Sequence, residues 1–447
     1  MRALLALLMG CAPTKKTAPD SDVSTEPTKG AQQDVAKPAK RGAGTLPQAV
    51  KQAAAVDEDA QRIAKEAAAA VAAAEPLKLY DDEHWRDMGG ASLESALQVD
   101  PDHGDSPVAL IDARYIVELW KRGGKILRRQ DLPKEAFIDL ETVKRLPWGK
   151  GGCLRVIAVS HPWQQPDHPD PKEVNLTLLA KVLERFIADT TYGDSTYACF
   201  FDFMSCFQKG PDGKRTDKEM ALFGKALSNM MVWYGHPKTM TFKLTRLPKG
   251  YPNGFKFPEG MKPNMADYWD RGWCFCESSV SNLVKDYDFV LDLAKFRESV
   301  KDLDAVVQGC AAKRAPPLAP PVFKEDLSTK TFTSPKADLE TVGNLYEKEF
   351  DEKLGEATLL RYYNLQWTDA DVVKLCGAIA TGKLVKLEYL YLSFNQIGDA
   401  GVAALAEVAG KLPHELKELH LGSNPNISQQ AEDALKAAIP KNCEVVF

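Results

Sequence analysis

Between residues 153 and 308, short apolar runs rich in branched and aromatic residues alternate with longer stretches of helical periodicity, and this alternation constrains the fold more than any other feature of the chain. Leu154 to Val159 reads as a strand, and Leu179, Val182, Leu183, Phe186 and Ile187 then mark a helix. Tyr197 to Phe201 reads as a second strand, followed by a helix striped by Met220, Phe223, Leu227, Met230, Met231 and Tyr234. Met240 to Leu244 predicts a third strand, Trp273 to Leu283 a helix, and Phe289 to Leu291 a fourth strand. Strands separated by helices form a parallel sheet covered on both faces, and such sheets bind ligands beyond the carboxyl ends of their strands. The residues just after each strand are therefore the candidates for a site. They are Ser160, His161 and Trp163 after the first strand, Asp202 to Gln208 after the second, and Arg271, Trp273 and Glu277 at the start of the helix before the fourth.

The remainder divides by composition. Residues 1–48 are rich in Pro, Thr, Lys, Ala and Asp, which predicts a disordered tail. Its first eleven residues, with Arg2, the run Ala3 to Leu8 and then Met9-Gly10-Cys11, have the form of a short signal segment. Residues 49–76 are dominated by alanine and predict a single helix ending near Pro76. Residues 77–150 read as a helical preamble, in which Ile111, Tyr115, Ile116, Leu119 and Trp120 share a helical face that Gly123-Gly124 closes. Lys121, Arg122, Lys125, Arg128 and Arg129 follow as a basic cluster, read as a solvated helix end. The α/β domain takes residues 151–310, and residues 311–337 read as a Pro-rich linker.

Residues 338–447 carry a repeat. Leu387, Leu390, Leu392, Asn395 and Ile397 return as Leu416, Leu419, Leu421, Asn424 and Ile427, with Leu390 and Leu419 separated by 29 residues. A weaker copy lies upstream at Leu360, Tyr362, Trp367, Asp369 and Leu375. The pattern resembles a leucine-rich repeat of the ribonuclease-inhibitor type, in which alternate leucines of a short strand point inward and the asparagine bonds the backbone of the turn. Cys443 to Phe447 would supply a closing strand. The resemblance implies a surface for a protein partner.

The motifs at the strand ends resemble the TIR (Toll/interleukin-1 receptor) superfamily, and within it the heterokaryon-incompatibility (HET) branch, over about Leu154 to Leu293. Ser160 with Trp163, Asp202 with Gln208, and Arg271 with Trp273 and Glu277 occur in the order of the three HET motifs, and Trp273-Cys274-Phe275-Cys276-Glu277 is similar to the Trp-Cys-x-x-Glu motif of plant TIR domains. The resemblance implies a flavodoxin-like parallel sheet, so the whole chain reads as α/β with a helical N-terminal extension and a short C-terminal repeat. It nominates Glu277 as the residue that cleaves NAD, with Ser160, His161, Trp163, Asp202, Gln208, Arg271 and Trp273 binding the substrate. A carboxylate suits this bond, because its cleavage passes through an oxocarbenium-like state that negative charge stabilises. NAD is then a substrate; no cofactor and no metal are expected. The sequence departs from the plant pattern at Ser278, where leucine is usual, and in the long Gly-, Pro- and Lys-rich stretch from Pro237 to Asp270. The loop from Lys209 to Asp217 falls where TIR domains place an assembly loop, which implies either a cover over the crevice or a contact for a homo-oligomer. The alternative is a non-enzymatic adaptor working through protein–protein contacts.

A formal charge of −5 gives no footprint for nucleic acid, and no apolar run is long enough to span a bilayer. Nine scattered cysteines, without a Cys-x-x-Cys pair, fit a reducing cytoplasm better than a disulfide framework. Lipid anchoring or export through Cys11 is the alternative location. Walker, nucleophile-elbow, zincin and dinucleotide-binding signatures are absent.

Overall fold

In the computed structural model the described residues are 48–447, apart from 192, 258, 333 and 334, so the expectations for the N-terminal tail and Cys11 lie outside them. One mixed sheet is built from β1 (Leu110–Asp112), β2 (Phe137–Ile138), β3 (Val156–Ser160), β4 (Ala198–Phe200), β5 (Met240–Lys243) and β6 (Val290–Asp292), in the order β2-β1-β4-β3-β5-β6. β3 to β6 are parallel, with Ile157 opposite Cys199 and Met240, and Phe242 opposite Leu291. Period-two alternation sends Ile157, Val159, Cys199 and Phe242 to one face, against the Val174–Ala188 helix. Val156, Ala158, Ala198 and Phe200 go to the other face, against Trp233, Tyr234, Cys276 and Val280.

The helical preamble needs correction, because it adds two strands at one edge of the sheet in antiparallel pairings, β1 on β4 and then β2 on β1. Ile111 belongs to β1, and the helix starts only at Ala113, where the Asp112 side chain accepts the Arg114 N–H. The helix ends as expected: Gly123 adopts φ +67° and Gly124 N–H returns to Leu119 O, a left-handed C-terminal turn that favours glycine. In the Gln48–Ala72 helix, Ala60, Ala64, Ala67, Ala68 and Val71 are buried, the last four in the same core as Ile116 and Leu119. The basic cluster divides: Lys121, Arg122 and Lys125 are exposed, the solvated helix end expected, whereas Arg128 and Arg129 are used internally. Arg129 is buried and donates to Pro107 O and Ser205 O, while Arg128 pairs with Asp131 and reaches Lys209 O. The stripe from Met220 to Tyr234 is two helices, Asp217–Ser228 and Val232–Gly235, because the Asn229 amide turns back onto Lys225 O and ends the first.

The C-terminal region is a second, parallel sheet, β7 (Leu359–Arg361), β8 (Tyr389–Tyr391), β9 (Glu418–His420) and β10 (Glu444–Val446), in sequential order. Leu360, Leu390 and Leu419 stand in register and are buried, each strand leading to a helix at Asp369–Ile379, Asp399–Val408 or Gln429–Ala438. Asn395 fills the turn between units: Oδ1 accepts from Leu365 N (2.9 Å) and Trp367 N (3.1 Å), and Nδ2 donates to Tyr362 O (2.7 Å) and Leu392 O (2.9 Å). Asn424 repeats this one unit later with Ile397 N, Leu392 O and Leu421 O.

Of the Pro-rich linker 311–337, residues 311–332 are packed rather than a free joint. Pro320–Ser328 is a helix with proline in its first turn, where the missing N–H costs no hydrogen bond. Its Phe323 stacks between Phe275 (5.0 Å) and Tyr346 (3.6 Å). Arg314 is buried, donates to Lys285 O and Arg361 O, and its own carbonyl accepts the Trp367 indole N–H. Residues 52–447 accordingly form one compact unit, and the core on one face of the first sheet runs on into the repeats.

Candidate functional site

β3 ends where Pro162 stops the ladder, which delivers Ser160 and His161 to the carboxyl edge of the sheet. β4 ends in the single turn Asp202–Ser205, held by Phe201 N–H on the Ser205 hydroxyl. The Gly272–Ser281 helix then places Trp273, Cys274 and Glu277 on one face by their three- and four-residue spacing. These groups meet at a cavity of about 660 Å³. His161, Trp163, Asp202, Gln208, Arg271, Trp273 and Glu277 all line it, and Ser160 stands behind Glu277.

Glu277 is buried, with 7% of its surface exposed. Tyr268 OH lies 2.6 Å from Ser160 Oγ, which donates to Glu277 Oε2 at 2.5 Å, so a buried hydroxyl relay terminates on the carboxyl. Burial holds the Glu277 carboxyl well above the ordinary carboxylate range; the Ser160 hydrogen bond opposes this and Asp202 adds to it. Burial likewise pushes the Tyr268 phenol and the Cys274 thiol well up.

Asp202 organises the second side. Its Oδ2 accepts the Trp163 indole N–H (2.9 Å) and its Oδ1 accepts Phe203 N–H (2.6 Å). His161 stacks on Phe201 at 4.4 Å, and its Nε2 is 3.5 Å from Asp202 Oδ1, in a geometry that leaves this nitrogen without a hydrogen bond. Two expected ligand contacts have internal uses. Gln208 Nε2 donates to Asp202 O and Cys206 O. Arg271 donates to Ala266 O, Trp163 O and Asn264 O, so its guanidinium ties the loop that carries Trp163 to the long connection after β5.

Other lining residues come from stretches without periodic signal. Tyr251, Phe257, Lys262 and Asn264 lie between β5 and the Glu277 helix, Arg215 in the loop after β4, and Thr331 and Phe332 at the end of the Pro-rich segment. Thr331 N–H bonds Asp270 O and Gly272 N–H bonds Thr331 O, which straps this segment across the start of the helix. The strap seats the Phe332 ring where a Cβ on Gly272 would come within 1.9 Å of it. Apart from the loop glycines, nothing local in these residues distinguished them.

The turn Asp167 to Asp170 is outside the cavity chemistry: Asp170 caps the Val174–Ala188 helix through Val174 N and Leu176 N, and His168 lies against Ile126 O. Every cysteine among the described residues is a free thiol. No helix among them is long and apolar enough to cross a membrane.

A family model for the Leucine Rich repeat matches residues 383–406, the unit that holds β8 and Asn395. Neither the curated proteins nor the solved structures include a match to this chain. The repeat is therefore the part of the chain with a family counterpart, and repeats of this kind point to protein partners.

Proposed function

We propose that the cavity binds a dinucleotide of the NAD type, that Glu277 promotes cleavage of its nicotinamide ribosyl bond, and that the repeats recruit a protein partner. The observation that carries this reading is the buried Glu277 carboxyl, held by the Ser160 hydroxyl in the wall of a cavity large enough for a nucleotide. The order of the parallel strands, β4-β3-β5-β6, supports a flavodoxin-like, TIR/HET-like sheet with its ligand beyond the strand ends. In the reaction the bond from ribose C1′ to the nicotinamide nitrogen breaks and its electron pair leaves with nicotinamide. Water oxygen then bonds C1′ and releases a proton, giving ADP-ribose. The cationic pyridinium favours the ionised form of Glu277 on binding, and the carboxylate then faces the developing ribosyl cation. Trp163 and Trp273 offer flat walls for a base.

Nicotinamide release from NAD by concentrated, full-length protein tests this reading beside Glu277→Ala. Release by the parent and a loss of at least about a hundredfold in the variant is the expected result. No release from either protein, in samples shown to self-associate, overturns the enzymatic reading. The Leucine Rich repeat match favours a second reading, a non-enzymatic adaptor. A parent inert toward NAD, with partner capture and assembly unaffected by Glu277→Ala, selects it.

A further inference from the structure

The charges lining the cavity are not all used. Arg271 spends its donors on three carbonyls, and Asp202 is held by Trp163 and Phe203. Arg215 differs. It is half-buried, its Nε donates to Phe207 O (2.7 Å), and its guanidinium lies over the Phe223 ring at 3.6 Å, so the group is fixed in place. No carboxylate among the described residues pairs with it. Glu219 acts on it through space, but its oxygens take Thr216 and Gln130. Lys262, on the long connection, lines the same cavity with no hydrogen bond or ion pair to a described residue. A guanidinium does not shed its proton in a protein, so a half-buried one with no carboxylate beside it is a cost to the fold. Guanidinium and ammonium groups converging on one cavity are a receptor for phosphate oxygens.

We propose that Arg215 and Lys262 form an anion subsite of the cavity that takes the pyrophosphate of a dinucleotide. This inference rests on the nucleotide reading of the cavity and adds what that reading lacks, the group that distinguishes a dinucleotide from a nucleoside. Glu277 meets the end of the ligand that becomes cationic, and the subsite meets the doubly anionic middle. A phosphate-free nicotinamide nucleoside would lose the second contact and keep the first.

Calorimetric titration of the full-length chain with inorganic pyrophosphate, ADP-ribose and nicotinamide riboside tests the proposal. The proteins are the parent, Lys262→Gln, and Arg215→Gln with Lys262→Gln. The expected result is binding of pyrophosphate and ADP-ribose by the parent, weakened about tenfold in the single variant and further in the double, with nicotinamide riboside unchanged. Lys262 is exposed, so its variant reports even if the double variant misfolds. Equal ADP-ribose affinity in parent and variants overturns the subsite while leaving the proposed function standing. A parent that binds pyrophosphate with Arg215 and Lys262, but neither nicotinamide riboside nor ADP-ribose, retains the subsite and overturns the NAD reading. A parent that binds none of the probes overturns both.

Discussion

Buried polar groups are treated differently in the two sheets. In the repeat region, Asn395 has four hydrogen bonds, two accepted and two donated, and Asn424 has three. At the edge of the larger sheet, among the described residues, Glu277 has one hydrogen-bond partner, His161 Nε2 has none, and no carboxylate pairs with Arg215. A satisfied amide network stabilises and specifies a fold, whereas a buried group left short of partners raises the free energy of the folded state. The contrast separates buried groups that the fold satisfies from groups at the proposed site that it leaves short of partners.

The largest effect should come from Asn395→Ala. It strands two N–H groups and two carbonyls in a buried turn, and we expect a loss of about 3 kcal/mol or more in urea unfolding monitored by circular dichroism. A loss under about 1 kcal/mol would mean that the amide merely fills space. Gly272→Ala should be next, at about 2 kcal/mol, because its Cβ would run into the Phe332 ring and push the strap away from the helix. Combining it with Phe332→Ala should recover part of that loss.

Glu277→Gln should move in the opposite direction, sharpening the contrast. The carboxyl's folded-state pKa lies above its unfolded value, so its protonated form favours folding at low pH. That contribution is complete below the ordinary carboxylate range and is lost as pH rises toward the folded-state value. The variant should therefore match the parent near pH 4 and become progressively more stable than it as pH rises, by on the order of 1 kcal/mol. Thermal melts at several pH values check this, and a constant difference across pH would show that Glu277 is not the titrating group.

Much of the larger sheet was legible because its strands are continuous apolar runs bounded by polar turns, as Val156 to Ser160 shows. β1 and β2 were not: Ile111 of β1 fell into the helical pattern of the element that follows it directly, and β2, with two residues, carries no period. The site was legible where it sits on strand ends and a helix face. Tyr268 and Lys262 were invisible, because loops bring residues together without periodicity, and Arg215 was marked only as part of the loop from Lys209 to Asp217. Arg271 illustrates a different limit: its type and spacing say nothing about three carbonyls folding back around its guanidinium.

The repeat sheet also has two unlike edges. Each edge strand pairs with one neighbour, but at β7 Arg361 meets Asp286, the Tyr362 hydroxyl donates to Leu283 O, and Arg314 caps the Arg361 carbonyl, whereas among the described residues β10 makes no hydrogen bond or ion pair outside the repeats. An array anchored at one end can lengthen only at the other. Extra units inserted between Leu283's neighbours and β7 would tear a shared core, while units added beyond β10 would meet an open strand edge. Variation in repeat number among any descendants of this architecture should therefore accumulate on the β10 side, and transplanting the repeats as a cassette should damage the cavity they leave behind.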